Sequence, residues 1–500
     1  MRSAVLRIKQ GLASPQFAIA TGMLTCAVIA IYIVWYSSAG KFPDFPETDN
    51  AYVELGESFL HGQLFLLEEP NPQLKALPNP YDPTQRNAPH RWDASYYKGN
   101  YYLYWGPVPA LAFAVVQGIT SIRPAGSLLV IVCYMVLPII LLMILFQIRR
   151  QFFPASPVHS MGLCLLISFI NLPFLFLLGR PIIYETSIIA GQFFLFLGLL
   201  GWVMYGANSA KVGWLIVAGL SWGLAIGSRY NLVISTSVYM AFILTQIAQD
   251  TDNRQTLKKI ALLLTPLLLC LIGLGFYNYV RFGSPFETGL TYQLSLPEIQ
   301  SEPYSTSYVL SNLFIYLFYP MTTSENFPFI LSTLPAGNQF DEVTAGLFSS
   351  TPSTWLLVLV APIIFIAGKT SRADALAITS LKRLLFMLLS AVAAQSLFLM
   401  VFFFDAMRYM ADFYLQLTLA MWILVWMVGT FIRPIRPLHV IYWLIISGFV
   451  IWTAGIGFFG GFDIPPQSFR TTNPVLYMQL ESFWNNLFPG TGCLLTPSLS

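Results

Sequence analysis

Asp49, Glu54, Glu57 and His61 follow the first apolar run of this chain, in a stretch that reads as a short amphipathic helix. A carboxylate there can serve as a general base, since an aspartate with an ordinary pKa of about 3.9 is ionised at neutral pH. Asp49 heads the series and is the candidate catalytic residue; its neighbour Asn50 stands where a second acid would complete a pair. Thr48 or Asp49 is the expected N-cap and Gly62 the expected stop. Tyr52, Leu55, Phe59 and Leu60 share one side, which leaves Glu54, Glu57 and His61 facing water. The plain alternative role for Asp49 is that of the helix cap.

Other charges gather where apolar runs end: Arg180 with Glu185, Arg229, Arg281 with Glu287, and Asp405, Arg408 and Asp412. Arg408 and Arg281 are the candidate phosphate-binding residues, because a guanidinium presents paired N–H donors. Each has a nearby acid, Asp412 or Glu287, with which it could pair instead. Glu185 and its neighbour Tyr184 are substrate-binding candidates, with a Glu185–Arg180 ion pair as the alternative. From His90 to Tyr102 aromatic and polar residues mix, so Arg91, Trp92, Tyr96 and Tyr97 join Glu57 as candidates for contact with a sugar. Those aromatics equally suit an interfacial belt. Lys98-Gly99-Asn100, turn-prone between β-prone flanks, predicts a hairpin. His61 and His90 stand alone and make no zinc site. No cofactor is assigned; a divalent cation is compatible with the acids, whose spacing specifies no ligand set.

Composition dictates what must hold these residues. The 500-residue chain is 56% hydrophobic and 10% charged, against roughly 25% charged in a soluble domain. Apolar runs of spanning length recur throughout. The expected fold is an all-α polytopic membrane protein with about eleven spans: 17–38, 125–147, 160–179, 186–206, 213–228, 231–248, 260–279, 354–368, 384–404, 412–431 and 439–460. The stretches 105–120 and 308–320 are short and suit re-entrant or interfacial helices better. The first run exceeds the 7–15-residue core of a signal peptide and reads as an uncleaved helix.

Charge sets the orientation. With the N-terminus inside, about 15 of the 26 basic residues face the cytoplasm and about 20 of the 23 acids face out. The transmembrane domain runs over 1–460, with external loops at 41–124 and 281–353 and an external tail at 461–500. The first loop is large and mixed in secondary structure. No soluble-enzyme signature appears: no Walker A loop, dinucleotide fingerprint, HExxH or GxSxG. Inside loops are too short for a nucleotide-sugar domain, and a net charge of +3 suggests no nucleic-acid partner.

Asp49 beyond the first helix, the Tyr-bearing helix ending in His61-Gly62, and Tyr101-Tyr102-Leu103-Tyr104-Trp105-Gly106-Pro107 together resemble polyprenyl-phosphate-dependent glycosyltransferases of the GT-C superfamily, such as the protein mannosyltransferases and aminoarabinose transferases. The segments 277–287 and 408–413 look like stretches of bacterial glycosyltransferases. The resemblance implies an inverting hexosyl or pentosyl transferase in the cell envelope, at a bacterial inner membrane. The implied donor is a polyprenyl-phosphate sugar and the acceptor a glycan, lipid or protein, with Asp49 as base. A transporter or flippase of a lipid-linked saccharide, making no bond, is the alternative.

Overall fold

The computed structural model describes residues 15–45, 50–82, 88–249, 252–295, 303–335, 342–367, 375–464 and 469–489, with backbone alone at 363–367 and 375–378. Thr48, Asp49, Asp250, Lys369, Arg372 and Asp374 lie outside the described residues.

Most of the described chain is helix. The helices used below are α1 (Pro15–Ser37), α2 (Ala51–Leu60), α3 (Val108–Thr120), α4 (Leu128–Phe152), α5 (His159–Phe169), α6 (Leu172–Gly179), α7 (Ile183–Ala207), α8 (Gly213–Ser228), α9 (Leu232–Ile247), α10 (Asn253–Phe282), α11 (Val309–Phe318), α12 (Trp355–Ala367), α13 (Ala375–Met400), α14 (Ala411–Ile432) and α15 (Arg436–Gly460). Each expected span corresponds to one of these, or, for 160–179, to the pair α5–α6. Seven are long and apolar enough to cross a membrane, and the α5–α6 pair, bent by 55°, makes an eighth if taken as one span. Helices α8 and α9 have 16 residues and α12 has 13, short of the roughly 20 that a span needs. Eleven crossings are therefore not established by length. The stretches 105–120 and 308–320 fold as the short helices α3 and α11.

Helix α14 runs through the middle of the bundle. Trp422 and Trp426 are fully enclosed on it, as are Leu415, Leu419 and Ile423, the burial pattern of a helix apolar all round. Helix α10 sits at the edge: Leu268, Leu269, Ile272 and Phe276 are exposed.

A second, smaller core lies beyond one end of the bundle, built from Tyr52, Leu55, Leu66, Leu74, Tyr96, Tyr101, Trp105 and Phe113. Here α2 packs on α3, and closely: a Cβ on Gly56 would stand 2.8 Å from the Ala110 carbonyl oxygen. The α2 N-cap is Asn50, not Thr48 or Asp49; its Oδ1 accepts from the Tyr52 N–H at 3.1 Å. Its amide also donates to the Gly126 carbonyl and to Thr186 Oγ1, both at 2.9 Å. A capping residue that reaches two other segments fixes where α2 starts as well as how. Of the expected apolar side, Tyr52 and Leu55 are buried while Leu60 is exposed.

The expected hairpin forms. Strands β1 (Ser95–Tyr97) and β2 (Asn100–Tyr102) pair antiparallel, Ser95 opposite Tyr102. Lys98 (φ 47°) and Gly99 (φ 82°) make the two-residue turn, the left-handed geometry that matches strand twist. A bridge from Ser95 to Gln293 draws the segment after α10 alongside. Gly106 then lets the chain pass the end of α8, where a Cβ would lie 1.9 Å from the Gly227 carbonyl oxygen.

Candidate functional site

Between the two cores lies a cavity of about 450 Å³. One side is apolar, formed by Val233 and Ile234 of α9 and by Phe398, Leu399, Phe402 and Phe403 at the end of α13. The other carries Asp93, Tyr104, Tyr184, Arg229, Asn231 and Arg408. Five separate segments supply that polar end: the approach to the hairpin, the stretch between β2 and α3, the first turn of α7, the α8–α9 connection, and the turn before α14.

Arg408 precedes α14 and is 2% exposed. Its guanidinium pairs with Glu342, whose same Oε1 lies 3.8 Å from Arg180 Nη1. The guanidinium carbon stands 4.2 Å from the centre of the Tyr184 ring and 5.2 Å from that of Tyr409, distances at which a cation is attracted to an aromatic face. Its Nε–H is buried with no hydrogen-bond partner among the described residues. The expected alternative partner, Asp412, is engaged elsewhere.

Asp412, in the first turn of α14, is fully buried and paired with Arg229 at 2.9 Å. Arg229 Nε is 3.2 Å from the second carboxylate oxygen, and Asn231 donates to the first at 2.7 Å. Three donors on one carboxylate satisfy the geometry that a buried pair demands. Helix α14 thus starts with an acid near its positive end, and Arg229 is oriented by it along the cavity edge. Its guanidinium carbon lies 5.3 Å from the Tyr409 ring centre.

Asp93 is held from three directions. Its N–H donates to Ser295 Oγ at 2.7 Å, the Tyr184 hydroxyl donates to Oδ2, and Gln293 Nε2 lies 3.4 Å from Oδ1. Its backbone is left-handed (φ 58°), a conformation that costs energy in non-glycine residues though Asp tolerates it better than most. Burial raises the Asp93 carboxyl above the usual aspartate range, against the opposing pull of the Tyr184 hydrogen bond, Arg408, Arg180 and Gln293.

The other sequence candidates divide. Tyr184 lines the cavity beside Arg408. Glu185, one residue on, is fully buried, and both carboxylate oxygens lack a hydrogen-bond partner among the described residues; the expected Arg180 partner faces Glu342 instead. Arg281 is placed away from the cavity. It donates to the Leu103 carbonyl at 2.6 Å and to Asn278 at 2.7 Å, over the Tyr277 ring at 3.8 Å. That anchors the hairpin strand to α10. Arg91 bridges Glu54 at 2.6 Å and Glu68 at 2.9 Å, Glu57 lies 3.7 Å from Arg123, and Trp92 is exposed. Tyr96 belongs to the small core and Tyr97 packs on Tyr292 at 4.5 Å. Asp49 is outside the described residues. No group of three or more His, Cys, Asp or Glu side chains that could hold a metal occurs among the described residues.

Sequence reasoning passed over Asp93, Tyr104, Asn231 and Glu342. Asp93 sat within a stretch read for its aromatic residues, and its position just ahead of a predicted hairpin was the available signal. Arg229 and Asp412 stood out as charges at apolar-run ends, but nothing local announces that they pair across 183 positions.

No family model matches the chain, and no curated protein does. Solved structures that resemble it include the Archaeoglobus fulgidus oligosaccharyltransferase tethered with an acceptor peptide, at 14% identity and a TM-score of 0.48 over 87% of this chain and 54% of that one. The apo form of the same enzyme gives 14% and 0.48, over 88% and 56%. The archaeal oligosaccharyltransferase AglB from Archaeoglobus fulgidus, with an inhibitory peptide and a dolichol-phosphate, gives 13% and 0.44, over 94% and 60%. The chain spans little more than half the length of the solved structures it resembles.

Proposed function

We propose that this chain is a membrane glycosyltransferase moving a monosaccharide from a polyprenyl-phosphate donor to a glycan, lipid or protein acceptor, at the outer face of a bacterial inner membrane. The observation that carries the reading is the two-sided cavity. An apolar wall of α9 and α13 meets a polar end with Arg229 and Arg408, which matches an amphiphile with a long hydrocarbon chain and an anionic head. The GT-C resemblance of the segments around Asp49 and Tyr101–Pro107 supports the same class.

In the proposed reaction the acceptor oxygen or nitrogen attacks the anomeric carbon. The bond from that carbon to the phosphate oxygen breaks, and its electron pair leaves with polyprenyl phosphate. Asp49 takes the acceptor proton, and the anomeric centre inverts. Arg408, with its unpartnered Nε–H, holds the departing phosphate, where charge-assisted hydrogen bonds are strongest.

Purified protein in lipid vesicles, supplied with several polyprenyl-phosphate sugars, tests this by release of free polyprenyl phosphate. Wild type releases it. Asp49→Asn lowers the rate by about 10²–10⁴, the usual worth of a general base. Arg408→Gln lowers it by roughly 10–100-fold, the worth of a hydrogen bond to a charged group. No release from any donor overturns the reading, and lipid movement between leaflets without release points to a transporter instead.

A further inference from the structure

Two charged groups of opposite sign face one another across a single side chain in this cavity. Arg408 lies over the face of the Tyr184 ring, and the hydroxyl at the tip of that ring donates to Asp93. A phosphate held by Arg408 would therefore stand from Asp93 by roughly the width of one tyrosine ring, which is about that of one sugar ring. We propose that Asp93 is the residue that reads the hydroxyl groups of the donor monosaccharide, held to that task by Gln293 and Ser295. The proposal rests on the donor reading above and adds to it the sugar subsite.

Three observations point the same way. Asp93 is the one carboxylate lining the cavity among the described residues; Asp412 and Glu342 lie behind Arg229 and Arg408 and balance their charge. An ionised carboxylate offers about four acceptor positions. Tyr184 takes one and Gln293, at 3.4 Å, takes another weakly, so acceptor capacity toward the cavity remains. Tyr104 and Trp105, their rings stacked at 3.7 Å, line the same end and supply aromatic surface beside the carboxylate.

The local backbone is arranged for this aim. Asp93 adopts a left-handed conformation, and such strain persists where surrounding contacts over-determine it. Those contacts are long-range: Ser295 and Gln293 come from the segment after α10, about 200 positions away. Gln293 is fully buried and its Oε1 also accepts from the Ser295 N–H at 3.0 Å, so the positioning pair is itself fixed.

The test compares a polyprenyl-phosphate hexose with its deoxy analogue lacking a hydroxyl remote from the anomeric carbon, in wild type and Asp93→Asn. Bare polyprenyl phosphate binding and thermal stability are measured on the same preparations. The expected wild-type preference for the full sugar is about tenfold or more in kcat/KM, because a site built to bond a hydroxyl rejects a substrate lacking it. In Asp93→Asn that preference collapses toward unity while bare polyprenyl phosphate binds both proteins alike. An unchanged preference in Asp93→Asn at every hydroxyl tested overturns the proposal. If Asp93→Asn does not fold, Gln293→Leu carries the measurement, with a reduced preference expected and an unchanged one again overturning it. Absence of release by wild type itself marks failure of the donor reading, and the subsite falls with it.

Discussion

The Tyr184 hydroxyl donates a hydrogen bond to the Asp93 carboxylate. Helix α7 and the hairpin approach are thereby joined at the polar end of the cavity, with Arg408 over the face of the same ring. A tyrosine in that place keeps an acid and a base from neutralising each other directly, so each remains available to a ligand. The consequences can be measured.

The pH profile is the first. Burial raises the Asp93 carboxyl above the ordinary aspartate range. The ionised form that accepts sugar hydroxyls is therefore lost, as pH falls, sooner than an unperturbed aspartate would lose it. The acid limb of kcat/KM for the full sugar should lie above the ordinary aspartate value of about 3.9, and should move down toward that value, where Asp49 sets it, when the deoxy donor is used. The sign for stability is opposite. A raised folded pKa means the ionised group destabilises the fold above that pKa, an effect relieved as pH drops through it. Asp93→Asn should thus melt no lower than wild type at pH 7, read by thermal unfolding in detergent; a clear loss would mean that the hydrogen bonds to the carboxylate outweigh the cost of burying it.

The Arg229–Asp412 pair predicts a strong asymmetry between single and double substitutions. Asp412→Ala leaves a buried guanidinium and the Asn231 amide without their acceptor, and should cost about 3–5 kcal/mol of stability. Replacing both residues together, Arg229→Met with Asp412→Leu, should cost far less, since no uncompensated charge is left. Denaturation of the three proteins in the same detergent checks it. Equal losses in single and double variants would mean the pair adds nothing beyond packing.

Gly106→Ala tests the joint between the two cores. The added methyl would meet the Gly227 carbonyl, and overpacking of this kind costs typically about 1–3 kcal/mol. Because Trp105 and Pro107 flank the position, the hairpin should shift relative to α8. The expected result is reduced sugar discrimination along with reduced stability, measured by the full-to-deoxy donor ratio and by melting. Gly99→Ala serves as the control: nothing lies within 4 Å of its would-be Cβ, so only the cost of its left-handed backbone is felt.

Much of the scaffold was readable in the residue order because membrane helices are written in long apolar runs. Every expected span has its helix, or for 160–179 its bent pair, and the Lys98-Gly99 turn appears where its residue types demanded. Three expected spans correspond to helices shorter than a bilayer requires, and one of them, α8, ends at Arg229, whose side chain is held by Asp412. The site was less legible for a physical reason. Its charges sit at helix ends, where capping, topology and chemistry favour the same residue types. Arg408 and Tyr184 could be singled out locally. Which acid meets Arg229, and why Arg281 turns toward Leu103, depends on contacts more than a hundred residues apart.

The central course of α14 has a bearing on how the protein responds to its surroundings. In the apolar stretch of Met407–Ile432 83% of the residues are buried in the protein, whereas in that of α10 11% are. Bilayer thickness and fluidity act on the surface of a helix that lipid touches, and α10 offers them that surface. Helix α14 offers almost none. The height of Arg408 and Asp412 along the bundle is accordingly set by neighbouring helices and not by the acyl chains around them. Moving the protein between short-chain and long-chain lipids would therefore tilt the rim and leave the charged centre in register.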